Sequence, residues 1–192
     1  MGNPTKPEFE FDRSKFKELM LYIAASSEAD SRFGAVKLNK ILYYADALHY
    51  AEQGKPITGA VYVRRQFGQA PRDLLPIRAE LVSEGRAAMR LERYFGQTQK
   101  RLVSLVTPDL SAFGATEIEL VDEVIGALWE KTAIEVSETS HRLMGWRCAR
   151  ENEEIPYHAI FLIDLPLTEA DRQWAREVAE RYDLAEATAD GS

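Results

Sequence analysis

Lys37-Leu38-Asn39-Lys40-Ile41-Leu42-Tyr43-Tyr44-Ala45 is the stretch on which the reading of this 192-residue chain turns. Leu38, Ile41, Leu42, Ala45 and Leu48 recur at the three-and-four spacing of one helix face, and Gly54 with Pro56 supplies the stop. On that spacing Lys37, Lys40, Tyr44 and Asp46 fall on the opposite face, where solvent or a partner would meet them. Tyr43 and Tyr44 are adjacent and point about 100° apart on a helix, so only one of them can enter the core fully. The stretch contains no nucleophile with a base, no phosphate loop and no metal-ligand spacing. It reads as part of a packed recognition domain.

Upstream, Phe16, Leu19, Met20 and Ile23 predict a first amphipathic helix capped by Asp12 or Ser14. Downstream, Ala60 to Phe67 is aromatic and β-branched and lies between Gly59 and Gly68, which predicts a strand. Pro71 opens a helix through Leu74, Leu75, Ile77 and Leu81, with Pro76 tolerated only in its first turn. Arg86–Tyr94 and Lys100–Thr107 alternate and predict a β-hairpin. Thr116 and Glu119 form a capping-box pattern ahead of Leu120, Val121, Val124, Ile125 and Leu128. A short helix near Ser137–Met144, an extended crossing at Glu153–Tyr157, and a last helix capped by Thr168 through Trp174, Val178 and Tyr182 complete the pass. The expectation is an α+β fold: one mainly helical domain over residues 13–184 with a small antiparallel sheet of strand plus β-hairpin. Flexible ends would cover 1–12 and 185–192.

Composition narrows the function classes. Charged residues make up 29% and hydrophobic residues 45%, ordinary for a globular protein, and no apolar run approaches the roughly 20 residues of a membrane span. A single cysteine, Cys148, leaves no internal disulfide and suits a reducing compartment, so the cytoplasm is expected and no membrane partner. The net charge of -7 opposes general nucleic-acid binding. Residues 60–107 nonetheless carry nine basic and four acidic side chains, a local excess of +5. Helix, strand, helix, hairpin is also the element order of a winged helix. In that rival reading Arg64, Arg65, Arg72, Arg86, Arg90 and Arg93 would grip operator DNA. The helix after Pro71 carries few of the side chains that read bases, and the arginines could equally face a protein or pair with the acidic remainder of the fold.

His141 could be a base or a metal ligand, but His49 and His158 stand apart and no metal spacing accompanies it. A structural role near Trp146 is the expectation, with Ser140 as a cap or turn residue. Cys148 reads as a packing residue, and Glu151 to Glu154 as a solvated acidic turn. No Gly-x-Ser-x-Gly, P-loop or dinucleotide fingerprint appears, so no catalytic residue, cofactor or metal is expected.

Four pieces in order resemble the SocA-like Panacea domain. They are the Lys37–Tyr44 helix, the turn Gly54-Lys55-Pro56-Ile57, the pair Ser140-His141 with Trp146 five residues on, and Glu154-Ile155-Pro156-Tyr157. One departure is Gly68-Gln69-Ala70-Pro71, where the family commonly has Gly-Pro. The resemblance implies a mainly helical domain and an antitoxin that neutralises a cognate protein toxin, usually encoded next door. It implies a possible protease partner as well, because one member resembles an adaptor that presents its toxin for degradation. On this basis Leu38, Tyr43, Gly68, His141, Trp146 and Pro156 are expected to be structural. Solvent-facing Lys37, Lys40 and Tyr44, with Arg64 and Arg65 on the strand, are expected to touch the toxin.

Overall fold

The computed structural model describes residues 9–94 and 97–162, with positions 169, 173, 174 and 177 beyond them. Helix α1 (Arg13–Ser26) begins where Asp12 Oδ1 accepts the Lys15 N–H at 2.9 Å, and it buries Phe16, Leu19, Met20 and Ile23 as their spacing predicts. Helix α2 (Ala35–Gln53) ends at Gly54, whose φ of 72° is the left-handed turn that glycine enters without a Cβ penalty. Strand β1 (Tyr62–Arg65) pairs antiparallel with β2 (Gly68–Pro71). Helix α3 (Leu74–Ser83) follows, then β3 (Ala87–Tyr94) paired antiparallel with β4 (Gln97–Ser104). Helices α4 (Ala115–Leu128), α5 (Ala133–His141) and α6 (Met144–Cys148) and a 3₁₀ turn (Tyr157–Phe161) complete the unit. The fold is therefore mainly helical α+β, as the sequence predicts.

The predicted strand over 60–67 is one arm of its own hairpin, and Pro71 closes β2 instead of opening a helix. Pro76 lies in the first turn of α3, where its missing N–H leaves no helical bond unmade. Because β1 pairs with β2 and not with β3 or β4, the described residues form two separate two-stranded sheets. The continuous sheet of a winged helix is not built. The cap of α4 also differs from expectation: the Glu117 carboxylate, not Glu119, accepts the Gly114 N–H at 2.9 Å. A full capping box lies at α5 instead, where Thr132 Oγ1 accepts from Glu135 N and Glu135 Oε2 accepts from Thr132 N.

Helix α2 packs against α1, α4, α5, β2, β4 and the 3₁₀ turn, so it is buried on nearly every side. This overturns the expectation that Lys37 and Lys40 face solvent, since each is only 1% exposed. A one-faced helix reading presupposes neighbours on one side; a surrounded helix buries its polar residues too, provided each finds a partner. Lys37 Nζ pairs with Asp30 Oδ2 at 2.5 Å. Asp46 accepts from Thr58 N at 2.7 Å, Thr58 Oγ1 at 2.6 Å and the Tyr62 hydroxyl at 2.8 Å. Tyr44 is half-buried, with its hydroxyl enclosed and unpartnered, so it is not the exposed anchor expected of it. Burial pushes that phenol up to about 12.

The chain divides into two compact units after Leu162, and every element above lies in the first. In the second, Glu169, Gln173, Trp174 and Glu177 are helical, with Gln173 Nε2 donating to Glu177 Oε1 at 3.0 Å. Thr168, Val178 and Tyr182 of the expected last helix lie outside the described residues, as do segments 1–8 and 185–192. Phe9 to Asp12 are described and packed: Phe9 meets Tyr50 and Tyr157 edge-on at 5.7 Å, and Asp12 N donates to Thr58 O at 2.9 Å.

Candidate functional site

Lys40 from the first piece of the sequence signature and Ser140, His141 and Trp146 from the third, a hundred residues on, converge on the turn between β1 and β2. Gly68 opens β2 with a φ of 99°. A Cβ there would lie 2.1 Å from Ser140 Oγ and 2.5 Å from Lys40 Nζ, so both the backbone angle and the space require glycine. Lys40 reaches up from α2 and donates to the Gln69 carbonyl at 2.6 Å. Burial without a carboxylate partner pulls its ammonium down to about 7. Ser140, fully buried, donates to Ser137 O at 2.8 Å.

Two further donors complete the clamp. His141 Nε2 lies 3.1 Å from Gln66 O; a carbonyl only accepts, so the proton sits on Nε2 in this contact. Trp146 Nε1 donates to Arg65 O at 2.9 Å. The His141 and Trp146 rings stack at 3.9 Å, and the Arg64 guanidinium lies 4.3 Å over the indole. On the outer side of β1, Arg64 N donates to Glu153 O, Asn152 N to Arg64 O and Ile155 N to Tyr62 O, which fixes the predicted crossing as an extended edge. Thus helices α2, α5 and α6 each supply a side chain that grips a carbonyl of one hairpin.

Leu38 and Tyr43 are core residues, 2% and 1% exposed, and Pro156 precedes the 3₁₀ turn, its carbonyl accepting from Ala159 N. Gly68, His141 and Trp146 build the clamp. Arg64 and Arg65 sit on the clamped hairpin, Arg64 half-buried against Trp146 and Arg65 exposed with a hydrogen bond to Asn152. Lys40 is brought to the same place but from beneath, and Lys37 is elsewhere, locked to Asp30 below the α1–α2 loop. Sequence reading passed over Phe67, which stands 56% exposed at the turn itself. Inside an apparent strand it looked like one more packing aromatic; only the switch from strand to hairpin puts it at an apex.

Three arginines of the basic strip pair with carboxylates of the fold, Arg64 and Arg65 meet neutral groups, and the side chain of Arg93 lies outside the described residues. Arg72 pairs with Glu154, Arg86 with Glu18, Arg90 with Glu92, and Arg101 is 4% exposed. An open groove of about 850 Å³ lies along α4, lined by Leu110, Phe113, Ile118 and the acids Glu119, Asp122 and Glu123, apart from every signature residue. No described helix is long and apolar enough to cross a membrane. Chemically, the clamp fixes a backbone and displays a turn. It sets no accessible nucleophile beside a base: the Ser140 hydroxyl is enclosed and spent on a carbonyl.

A family model described as antitoxin SocA-like, Panacea domain, matches residues 38–147, a span that takes in Lys40, Gly68, Ser140, His141 and Trp146. Neither the curated proteins nor the solved structures give a match.

Proposed function

The chain belongs to the SocA-like Panacea domain family of antitoxins, and from that premise we propose that it neutralises one cognate toxin, the product of a neighbouring reading frame, by stoichiometric binding that occludes the toxin's working surface. The observation that carries this reading is the clamp. The matched residues spend their hydrogen-bonding capacity on holding a surface turn in one conformation, with Arg65, Gln66 and Phe67 outward. A preorganised turn gives a binding protein affinity, because little conformational entropy is lost when the partner docks. The operator-DNA reading draws no such support, since Arg72, Arg86 and Arg90 pair with carboxylates of the fold and the described strands do not form the sheet of a winged helix.

The test is growth of a heterologous host expressing the adjacent reading frame with and without this chain. Arrest relieved by the chain, with recovery of a one-to-one complex of the two proteins, is expected. A harmless neighbour, or arrest that persists when both are well expressed, would overturn the reading.

A further inference from the structure

We propose that the Arg64–Phe67 turn is the surface that seats the toxin, with Phe67 as anchor and Arg64 and Arg65 flanking it, and that the matching toxin face is an apolar pocket rimmed by carboxylates. This rests on the direct-binding reading above and specifies where and with what chemistry binding occurs.

Three observations converge on the turn. Phe67 is a large aromatic left 56% exposed, although the carbonyls on either side of it, at Arg65, Gln66 and Gln69, are each gripped from the body of the fold. A rigidly presented aromatic is the usual form of an interface anchor, because its burial is large and its ordering cost has already been met. The second observation is charge. Arg72, Arg86, Arg90 and Arg101 all lie within reach of carboxylates of the chain itself, at Glu154, Glu18, Glu92 and Glu92 respectively. Arg64 and Arg65 are instead held by neutral groups, the Trp146 ring and the Asn152 amide. Among the described residues no carboxylate cancels these oriented charges, which suits carboxylates on a partner. Third, the Arg64 Nε is buried with no acceptor, so stacking and not an internal ion pair sets the plane of that guanidinium. The planar fork is pre-aimed before any carboxylate arrives.

The experiment measures Kd between the purified full chain and the adjacent-frame product, with melting temperature recorded for every variant. Phe67→Ala is expected to weaken binding by about 30-fold or more without lowering the melting temperature. A double Arg64→Gln, Arg65→Gln variant is expected to weaken binding and to lose the salt dependence that the unaltered pair shows. Leu91→Ala, on a still more exposed apolar side chain of the other hairpin, should leave Kd unchanged. If Phe67→Ala binds as the unaltered chain does, the toxin sits elsewhere and direct binding survives. If Phe67 matters and the arginine pair does not, the carboxylate rim is wrong. If the unaltered chain forms no complex, the direct-binding reading and this surface fall together.

Discussion

The two hairpins of this chain are tied to the body of the fold by different atoms. β1–β2 receives: side chains from α2, α5 and α6 donate to its carbonyls at Gln69, Gln66 and Arg65. β3–β4 gives: Arg101 donates to the carbonyls of Ser27, Glu28 and Asp30, and Gln99 to that of Phe33, so β4 holds the α1–α2 loop. A turn held by its carbonyls leaves Gln66 and Phe67 facing outward, whereas a hairpin that spends its side chains inward becomes part of the frame. Substitutions in the second should therefore cost stability, and those at the tip of the first should cost binding.

The strongest break is expected at Arg101→Met. It strands three loop carbonyls at once and removes the cation from the Phe33 ring, and breaking a buried charged network of this kind costs about 3–5 kcal/mol. Urea unfolding measures it; a loss below about 1 kcal/mol would mean that β4 is not a structural brace. Next is Gly68→Ala, which forces a Cβ into a left-handed backbone and against Ser140 Oγ and Lys40 Nζ. Strain and overpacking together should cost about 2–4 kcal/mol. Toxin binding should fall with it, because the turn and Lys40 must both shift.

The third prediction contrasts Lys37 and Lys40, one turn apart on α2. Lys37 is balanced by Asp30, whereas Lys40 faces only a carbonyl and is pulled down to about 7. A lysine whose folded pKa lies below its ordinary 10.5 releases its proton first in the folded state. Between about 7 and 10.5 the unfolded chain then holds the extra proton, so stability rises with pH across that window and the burial cost is fully present below it. The stability of the unaltered chain minus that of Lys40→Met should climb by about 1 kcal/mol per pH unit through the window. A difference that stays flat from pH 7 to pH 10 would place the Lys40 ammonium in a better-solvated setting than its burial indicates.

Much of this was legible in the sequence, and the failures share one cause. The spacing of Phe16, Leu19, Met20 and Ile23 located α1, and the alternation after Arg86 located β3–β4, because each element keeps part of its surface outside the core. That logic failed at Lys37 and Lys40. A helix surrounded on all sides has no polar face to expose, and a single sequence does not reveal that Asp30 and the Gln69 carbonyl are waiting for two ammonium groups. The sequence leads to the expectation that His141 acts structurally near Trp146, but what the two side chains hold is invisible in it. Their partners are main-chain carbonyls, which any residue supplies, so Arg65 and Gln66 carry no signal of the contact. Phe67 was missed because two residues between short strands lack the Asn-Gly or Gly-Gly pattern that announces a turn.

The smallest effect is the most discriminating, because it separates the clamp from the surface that the clamp presents. His141→Ala removes one donor to Gln66 O and the imidazole from the face of Trp146 while leaving Lys40 and Trp146 in place. The lost hydrogen bond should cost about 1 kcal/mol, seen as a modestly lower melting temperature. Nothing at residue 141 needs to touch the toxin for affinity to fall, since a turn released from one of three grips samples more conformations and must be reordered on docking. Binding should weaken by roughly tenfold or less, by faster dissociation of a looser turn, and less than for Phe67→Ala. A binding loss as large as that of Phe67→Ala, with melting unchanged, would make His141 a contact residue and erase the division between the hairpin that is held and the side chains it displays.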